Sequence, residues 1–378
     1  MSNKIKIARV IPISTLSSSG LAGFKGSINP LKKRYLKIIE NIALKYHNTW
    51  IKPYQILFSA YGFVWLFVRL PLKLIKSRYH LFIAVVRDPQ GFITFLISKL
   101  LRKPIIMADT FYTWDDRLVF RVYWPMARLA ASKATLLVVP SQKVRRFWRL
   151  SGLPENKIRV TRLFVSILNI DKACLKEAKE IEEKLGFRKK VLFVGRLVPG
   201  KGVEYLLKAF ARASAEIDGA GLIIIGDGPQ RTRLEKLSID MKLSNVIFLG
   251  FVSRDKIAPY YLVSDILVLP SFKTRTHEEW GLVVNEAMSV GKPVIVTESV
   301  GCSYELVKNY VNGLIVPDKN TVALYKAIKM LLTDDELRYK MGKEAKKTII
   351  NGFTYKQEVD DYLQIIKDAL NRNCKIKK

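Results

Sequence analysis

Short apolar runs recur along this chain, each followed by a stretch long enough for a helix. In the first half they fall at 4–13 (KIKIARVIPI), 81–86 (LFIAVV), 104–108 (PIIMA), 135–140 (TLLVVP) and 158–161. In the second half they fall at 191–194, 222–225, 246–249, 266–269 and 294–297. The runs are continuous rather than alternating, which predicts strands buried on both faces in doubly wound parallel sheets. Between them, residues 30–46 carry Leu31, Tyr35, Ile38, Ile39 and Ile42 at helical spacing, with Lys32, Lys33, Arg34 and Lys37 off that stripe. Residues 54–70 (YQILFSAYGFVWLFVRL) are apolar and aromatic, but Arg69 and Pro71 interrupt them before the roughly 18 residues a membrane span needs. They predict either a core helix or an interfacial one. Residues 71–78 (PLKLIKSR) are basic, and 92–101 reads as a short helix. The segment 166–188, charge-rich over 171–184, reads as the connection to a second sheet. After Asp334 the pattern is one of charged amphipathic helices.

The runs at 265–270 (DILVLP) and 293–297 (PVIVT) bracket residues 271–293, SFKTRTHEEWGLVVNEAMSVGKP. Trp280-Gly281 makes a tight turn, 282–290 has helical spacing, and Gly291 with Pro293 stops the helix. Glu278 then lies in the loop facing the helix N-terminus, and Glu286 lies within the helix. Eight positions at helical rise let the two carboxylates reach points up to about 12 Å apart. The amides and positive dipole end between them suit a phosphate. Carboxylate, anion site, carboxylate is an order that would hold a nucleotide-sugar, hydroxyl-rich at both ends with phosphate in the middle. For an arbitrary pair of glutamates the plainer reading is a solvated loop charge and an exposed helix residue.

The pattern Glu278-Glu-Trp-Gly-Leu-Val-Val-Asn-Glu286-Ala-Met-Ser-Val-Gly-Lys-Pro-Val-Ile, after a strand ending in Pro-Ser, resembles the retaining glycosyltransferases of family 4. The resemblance implies the GT-B fold: α/β, with two Rossmann-like doubly wound parallel-sheet domains facing a central cleft. It implies an acceptor-binding domain over 1–170, onto which a C-terminal helix at about 355–378 packs back, and a donor-binding domain over 189–354. It further implies that Glu278 contacts the transferred sugar and Glu286 the ribose, with Gly281 and Leu282 meeting the donor at the helix start.

Three other constellations bear on chemistry. Gly195-Arg196-Leu197-Val198-Pro199-Gly200-Lys201-Gly202 follows a strand and opens a helix. Its glycines let backbone approach an anion, and Arg196 and Lys201 supply two cations for a diphosphate. Their place matches the family's diphosphate-binding Arg and Lys. Gly226-Asp227-Gly228-Pro229 is a turn in any case; the resemblance makes Gly226 and Gly228 lining of the nucleotide cleft, together with 249–252 (LGFV), where backbone meets the base. In the first half, Asp109 stands just past the run 104–108, where ligand clefts of parallel sheets open. Family members carry a histidine or an aspartate at about this place. That makes Asp109 a catalytic or positioning candidate on the acceptor side, with a helix cap as the plain reading and Asp115 and Asp116 as competitors. Gly20, Gly23 and Gly26 are spaced G-x-x-G-x-x-G, which is not the dinucleotide fingerprint. The family has a glycine pair in the equivalent loop, so Gly20 and Gly23 are acceptor-side loop candidates that depart from the usual Gly-Gly.

Charge changes the picture most. The chain has 378 residues, 49% of them hydrophobic, and a formal net charge of +31. Residues 1–170 hold 29 Lys and Arg against 6 Asp and Glu, leaving a net of only +8 for the remainder. A one-sided basic surface beside an apolar aromatic segment predicts an anionic membrane face and a lipid-linked or glycan acceptor. Cys174, Cys302 and Cys374 are scattered, as are His47, His80 and His277, so neither a disulfide framework nor a metal site is predicted. The N-terminus has no signal-type lead. The expectation is therefore a cytoplasmic enzyme, peripheral to the inner membrane face, using a UDP- or GDP-linked sugar without metal or other cofactor and without nucleic acid. The competing readings are a soluble transferase with a small acceptor, another GT-B enzyme such as a phosphorylase or epimerase, and a basic nucleic-acid-binding protein. The last accounts for the charge but not for the pattern from Glu278 to Pro293.

Overall fold

The computed structural model describes residues 7–11, 39–43, 70–76, 79–86, 89–109, 117–161, 168, 170–273, 278 and 280–376. The chain divides into two compact units, Met1–Leu163 with Lys356–Lys378, and Phe164–Tyr355.

In the first unit the apolar runs form β1 (Ile7–Ile11), β3 (Leu81–Val85), β4 (Ile105–Ala108), β5 (Leu136–Val139) and the short β6 (Ile158–Val160). With β2 (Ile39–Ala43) they make one sheet in the order β2-β1-β3-β4-β5-β6, every pair parallel. All residues of β3, β4 and β5 are buried, as continuous runs covered on both faces must be. The helices are α1 (Leu70–Lys76), α2 (Pro89–Leu100), α3 (Arg117–Lys133) and α4 (Gln142–Leu150). They pack Leu74, Phe95, Ala127, Ala130 and Trp148 onto Phe82, Ile105 and Met107. Trp148 is fully buried and stacks on Trp124 at 5.2 Å between ring centroids.

The second unit opens with α5 (Lys172–Leu185), capped at its start by Asp171, whose side chain accepts from the Cys174 amide at 2.8 Å. Then follow β7 (Lys189–Val194), α6 (Val203–Ser214), β8 (Ala220–Ile225), α7 (Arg231–Asp240), β9 (Val246–Gly250), α8 (Ala258–Val263) and β10 (Ile266–Leu269). The unit continues with α9 (Leu282–Ser289), β11 (Val294–Thr297), β12 (Gly313–Val316), α10 (Thr321–Thr333) and α11 (Asp335–Gly352). Its parallel sheet runs β12-β11-β10-β7-β8-β9. The first strand is thus central: the chain winds outward through β8 and β9, then returns to build β10 to β12 on the other side. The order reverses between β7 and β10, and the carboxyl ends of those two strands are where such sheets open a ligand crevice. The last helix, α12 (Tyr355–Ile376), belongs almost wholly to the first unit, where Asp368 pairs with Arg159 at 2.6 Å.

One expectation is corrected, and two elements go beyond the sequence reading. The helix expected over 30–46 does not extend through 39–43, which form β2 instead. Ile39 and Ile42 there are β-branched, and pairing along β1 from Ile7 with Ile39 to Ile11 with Ala43 outweighs a helical spacing that is only a weak prior. The charge-rich connection is largely the helix α5. Strand β12 is not among the expected strands, although Leu314-Ile315-Val316 between Asn312-Gly313 and Pro317 is a short apolar run of the same kind. The aromatic stretch 54–69 lies outside the described residues. Among the described residues no helix is long and apolar enough to cross a membrane.

Candidate active site

The loops after β7 and β10 meet at the reversal of strand order. Gly202 presses against the strand end: a Cβ there would lie 2.1 Å from the Pro270 carbonyl oxygen, so only glycine lets the β7 turn come this close. The Phe272 amide donates to the Gly200 carbonyl at 3.0 Å. This contact of backbones brings Lys201 Nζ onto Glu278 Oε2, joining two residues that the sequence pattern assigned to separate parts of a ligand. Both side chains are mostly buried. Burial, and then the charge of Arg196, push the Lys201 ammonium down to about 8. The Glu278 carboxylate against it favours the charged form and opposes both. Arg196 is exposed at the head of the same turn.

The turn after β8 is laced to the turn after β7. The Leu197 amide donates to the Asp227 carbonyl at 2.9 Å, and the Gln230 amide to the Leu197 carbonyl at 3.0 Å. Gly226 adopts φ +136°, and a Cβ on it would stand 1.9 Å from the Gly195 carbonyl oxygen, so the two loops touch through glycine backbone. The Gly228 amide is held by Asp227 Oδ1 at 2.7 Å. Beyond β9, Phe251, Val252 and Ser253 line a cavity of about 300 Å³ with Lys256, Tyr260 and Glu177.

Helix α9 begins at Gly281 in the left-handed region, with no side chain capping it. Leu282 is its first residue, so its amino end presents backbone donors and the positive end of the helix dipole. Trp280, buried just before it, donates from Nε1 to Asn285 Oδ1 at 2.7 Å and fixes the approach. Val284, Asn285, Glu286, Ala287 and Met288 are all buried. Glu286 is therefore not the exposed helix residue of the plain reading: its Oε2 accepts from the fully buried Tyr261 hydroxyl at 2.7 Å. Burial and the adjacent carboxylate raise the Tyr261 phenol well above its usual range, so it stays a donor. Sequence reading missed Tyr261, which sits in an apolar helix with no spacing signal. The apolar neighbours of Glu286, Leu282 to Val284 and Ala287 with Met288, were the available hint that a buried carboxylate would need a partner.

In the first unit Asp109 is 3% exposed at the carboxyl end of β4, and its Oδ2 accepts from Trp148 Nε1 at 2.6 Å. It anchors α4 through that indole. Gly20, Gly23, Asp115 and Asp116 lie outside the described residues. Among the described residues no cluster of three or more His, Cys, Asp or Glu could hold a metal ion.

Residues 176–348 match the family model described as glycosyl transferases group 1. The chain is 35% identical over 199 residues to an uncharacterized glycosyltransferase of Methanocaldococcus jannaschii, covering 50% of each. It is 29% identical over 267 residues to the alpha-D-kanosaminyltransferase of Streptomyces kanamyceticus, covering 68% of each. It is 34% identical over 164 residues to a GDP-mannose-dependent alpha-(1-6)-phosphatidylinositol monomannoside mannosyltransferase of Mycobacterium tuberculosis, covering 42% of each. The chain thus spans from 42 to 68% of the length of these relatives. The family and these relatives are transferase enzymes. Among solved structures, a glycosyltransferase from Rickettsia africae superposes with a TM-score of 0.72 at 20% identity, covering 97% of this chain and 99% of that one. Anabaena HepE in complex with UDP gives 0.72 at 17% identity, covering 96% and 99%. The fold is therefore GT-B, two parallel-sheet α/β domains in one chain.

Proposed function

We propose that this chain is a retaining glycosyltransferase moving a hexose from a UDP- or GDP-linked donor to a glycan or lipid-linked acceptor at the cytoplasmic face of a membrane. The observation that carries the reading is the meeting of Lys201 with Glu278 where the strand order reverses. Breaking the bond from the anomeric carbon to the diphosphate builds positive charge on the sugar and negative charge on the leaving oxygen. Arg196, Lys201 and the amino end of α9 stabilise the latter, with no metal needed, because the cations are side chains already in place. Glu278 holds a sugar hydroxyl beside them. Glu286, oriented by Tyr261, takes the ribose hydroxyls, and the cavity beyond β9 takes the base. Gly226 and Gly228 keep the lining of this cleft to bare backbone. Retention means that the acceptor oxygen attacks the face the diphosphate leaves. Asp109 positions the acceptor.

The membrane face is supported by the one-sided charge of residues 1–170 and by the relative named for a phosphatidylinositol glycoside. The deciding experiment measures thermal stability against UDP-, GDP- and ADP-sugars, followed by product analysis with the one that binds. A shift with one donor and transfer with retained anomeric configuration are expected. No shift with any nucleoside diphosphate or its sugar would defeat the reading.

A further inference from the structure

The helices α1, α2, α3 and α4 form one layer over the first sheet, α1 touching α2, α2 touching α3, and Trp124 of α3 packing on Phe147 and Trp148 of α4. Their sequences contain eleven Lys and Arg and no Asp or Glu. In the second unit α5, α6, α7 and α11 mix both signs, α5 with four glutamates. The acid-free layer is also apolar outside. Leu72 and Ile75 of α1, Leu96 and Leu100 of α2, Leu129 of α3, and Phe147 and Leu150 of α4 are exposed, Leu100 by 72% and Leu150 by 81%. On α2 the exposed stripe is Leu96, Lys99 and Leu100. On the described part of α3 it is Pro125, Arg128, Leu129 and Lys133. Large aliphatic side chains therefore alternate with cations across neighbouring helices.

The cations crowd one another. Burial first, then the ammonium groups of Lys157 and Lys133, lower the Lys99 pKa. Glu155, from the turn before β6, reaches Arg145 and Arg149 at the margin of α4. An arrangement that repels itself and exposes leucines fits a partner that is negative at its surface and apolar just beneath.

We propose that the outer face of α1 to α4 is the surface by which this protein docks on a bilayer containing anionic lipid. The proposal rests on the membrane-face reading of the function and names the face. Cations meet the headgroups while Leu96, Leu100, Leu129 and Leu150 enter the acyl boundary. A nucleic acid would answer the charge but not the leucines, since its bound surface offers phosphates and base faces that call for Arg, Lys and aromatic rings.

The test is sedimentation of the whole protein with phosphatidylcholine vesicles, with and without phosphatidylglycerol, at low and high salt. Wild type is compared with Leu96→Glu/Leu100→Glu/Leu129→Glu, with Lys99→Gln/Arg146→Gln/Arg149→Gln, and with the second-unit control Ile239→Glu/Val322→Glu/Ile350→Glu. Circular dichroism and the thermal shift with nucleoside diphosphate report that each variant is folded. Wild type binds anionic vesicles and is released by salt. The leucine variant loses at least about tenfold in vesicle affinity, the cation variant binds more weakly with a shallower salt dependence, and the control stays within about twofold of wild type. Wild type failing to bind anionic vesicles at low salt would overturn the face and the membrane reading together. Wild type and the leucine variant binding alike would overturn the face while leaving the membrane reading standing. Binding of single-stranded RNA that depends on the cations and ignores the leucines, without vesicle binding, would make the layer a nucleic-acid surface and overturn the proposal.

Discussion

Lys201, in the turn after β7, and Glu278, in the loop after β10, meet side chain to side chain across 77 positions of sequence. The contact joins a cation expected on phosphate to a carboxylate expected on sugar. A donor whose phosphate takes Lys201 replaces one anion by another at the same ammonium. Replacing Lys201 by Ala removes a charge-assisted contact, and nucleoside diphosphate binding should weaken by about 1.5 to 3 kcal/mol. Calorimetry with the folded variant checks this, and unchanged affinity would take Lys201 out of the diphosphate site.

The same lysine predicts a pH dependence. Its folded value of about 8 lies below the ordinary 10.5. Between those values the unfolded chain binds more protons, so this group's contribution to stability rises with pH across that window and is least favourable below it. The Glu278 contact narrows the window by favouring the ammonium. Diphosphate binding runs the other way, since it needs the charge: affinity should fall as pH is raised through about 8. Lys201→Arg, charged at every pH used, should flatten the profile relative to wild type and cancels any titration of the nucleotide itself. Coincident profiles for the two proteins from pH 7 to pH 10 would sink the assignment.

Tyr261 and Glu286 carry the next expectation. Tyr261→Phe removes the donor to a buried carboxylate and should lower stability by about 1 to 3 kcal/mol while weakening free nucleoside diphosphate. Glu286→Gln should weaken free nucleotide as well as donor. Glu278→Gln should leave free nucleotide bound as before or tighter, because Lys201 is released from its partner, yet impair transfer. Equal loss of free nucleotide in both glutamine variants, read by calorimetry, would dissolve the division of roles.

Gly226→Ala tests whether the turn after β8 depends on backbone contact. With φ at +136° and the Gly195 carbonyl 1.9 Å from the new Cβ, the turns after β7 and β8 must separate. Thermal stability should drop, and nucleoside diphosphate binding should be lost beyond what the drop explains. A variant that binds as wild type would show that the two turns move independently.

The strands of both units were legible because parallel strands buried on both faces read as unbroken apolar runs, and Ile266–Leu269 or Val294–Thr297 have no other explanation. Ile39–Ala43 was not legible as a strand: five residues at a sheet edge carry too little local preference to compete with a helical spacing, and only the pairing with β1 decides it. At the site, Gly281 and the turn around Lys201 were legible as turn chemistry beside apolar runs, whereas Glu286 stood out only through the resemblance to a family pattern. Their partners were not. Tyr261 reaches Glu286 across 25 positions, and Trp148 reaches Asp109 across 39, by packing that no periodicity records.

The bond from Trp148 to Asp109 sets the last prediction. Asp109 is buried and its Oδ2 is engaged by the indole, so its substitution mixes two effects, loss of an acceptor for Trp148 and loss of a group at the carboxyl end of β4. Trp148→Phe separates them: it keeps the aspartate and most of the stacking on Trp124 but removes the indole N–H. Stability should fall by about 1 to 3 kcal/mol for a buried charged acceptor left short of one donor. If Asp109 positions the acceptor, Trp148→Phe should raise the KM for acceptor through a loosened carboxylate and leave donor binding alone, and Asp109→Asn should keep the fold while lowering kcat. Steady-state kinetics with each substrate varied in turn, alongside urea denaturation, distinguishes the roles. Should both variants lose stability with unaltered kinetic constants for the folded fraction, Asp109 is a structural acceptor for α4 and the acceptor-side group lies elsewhere.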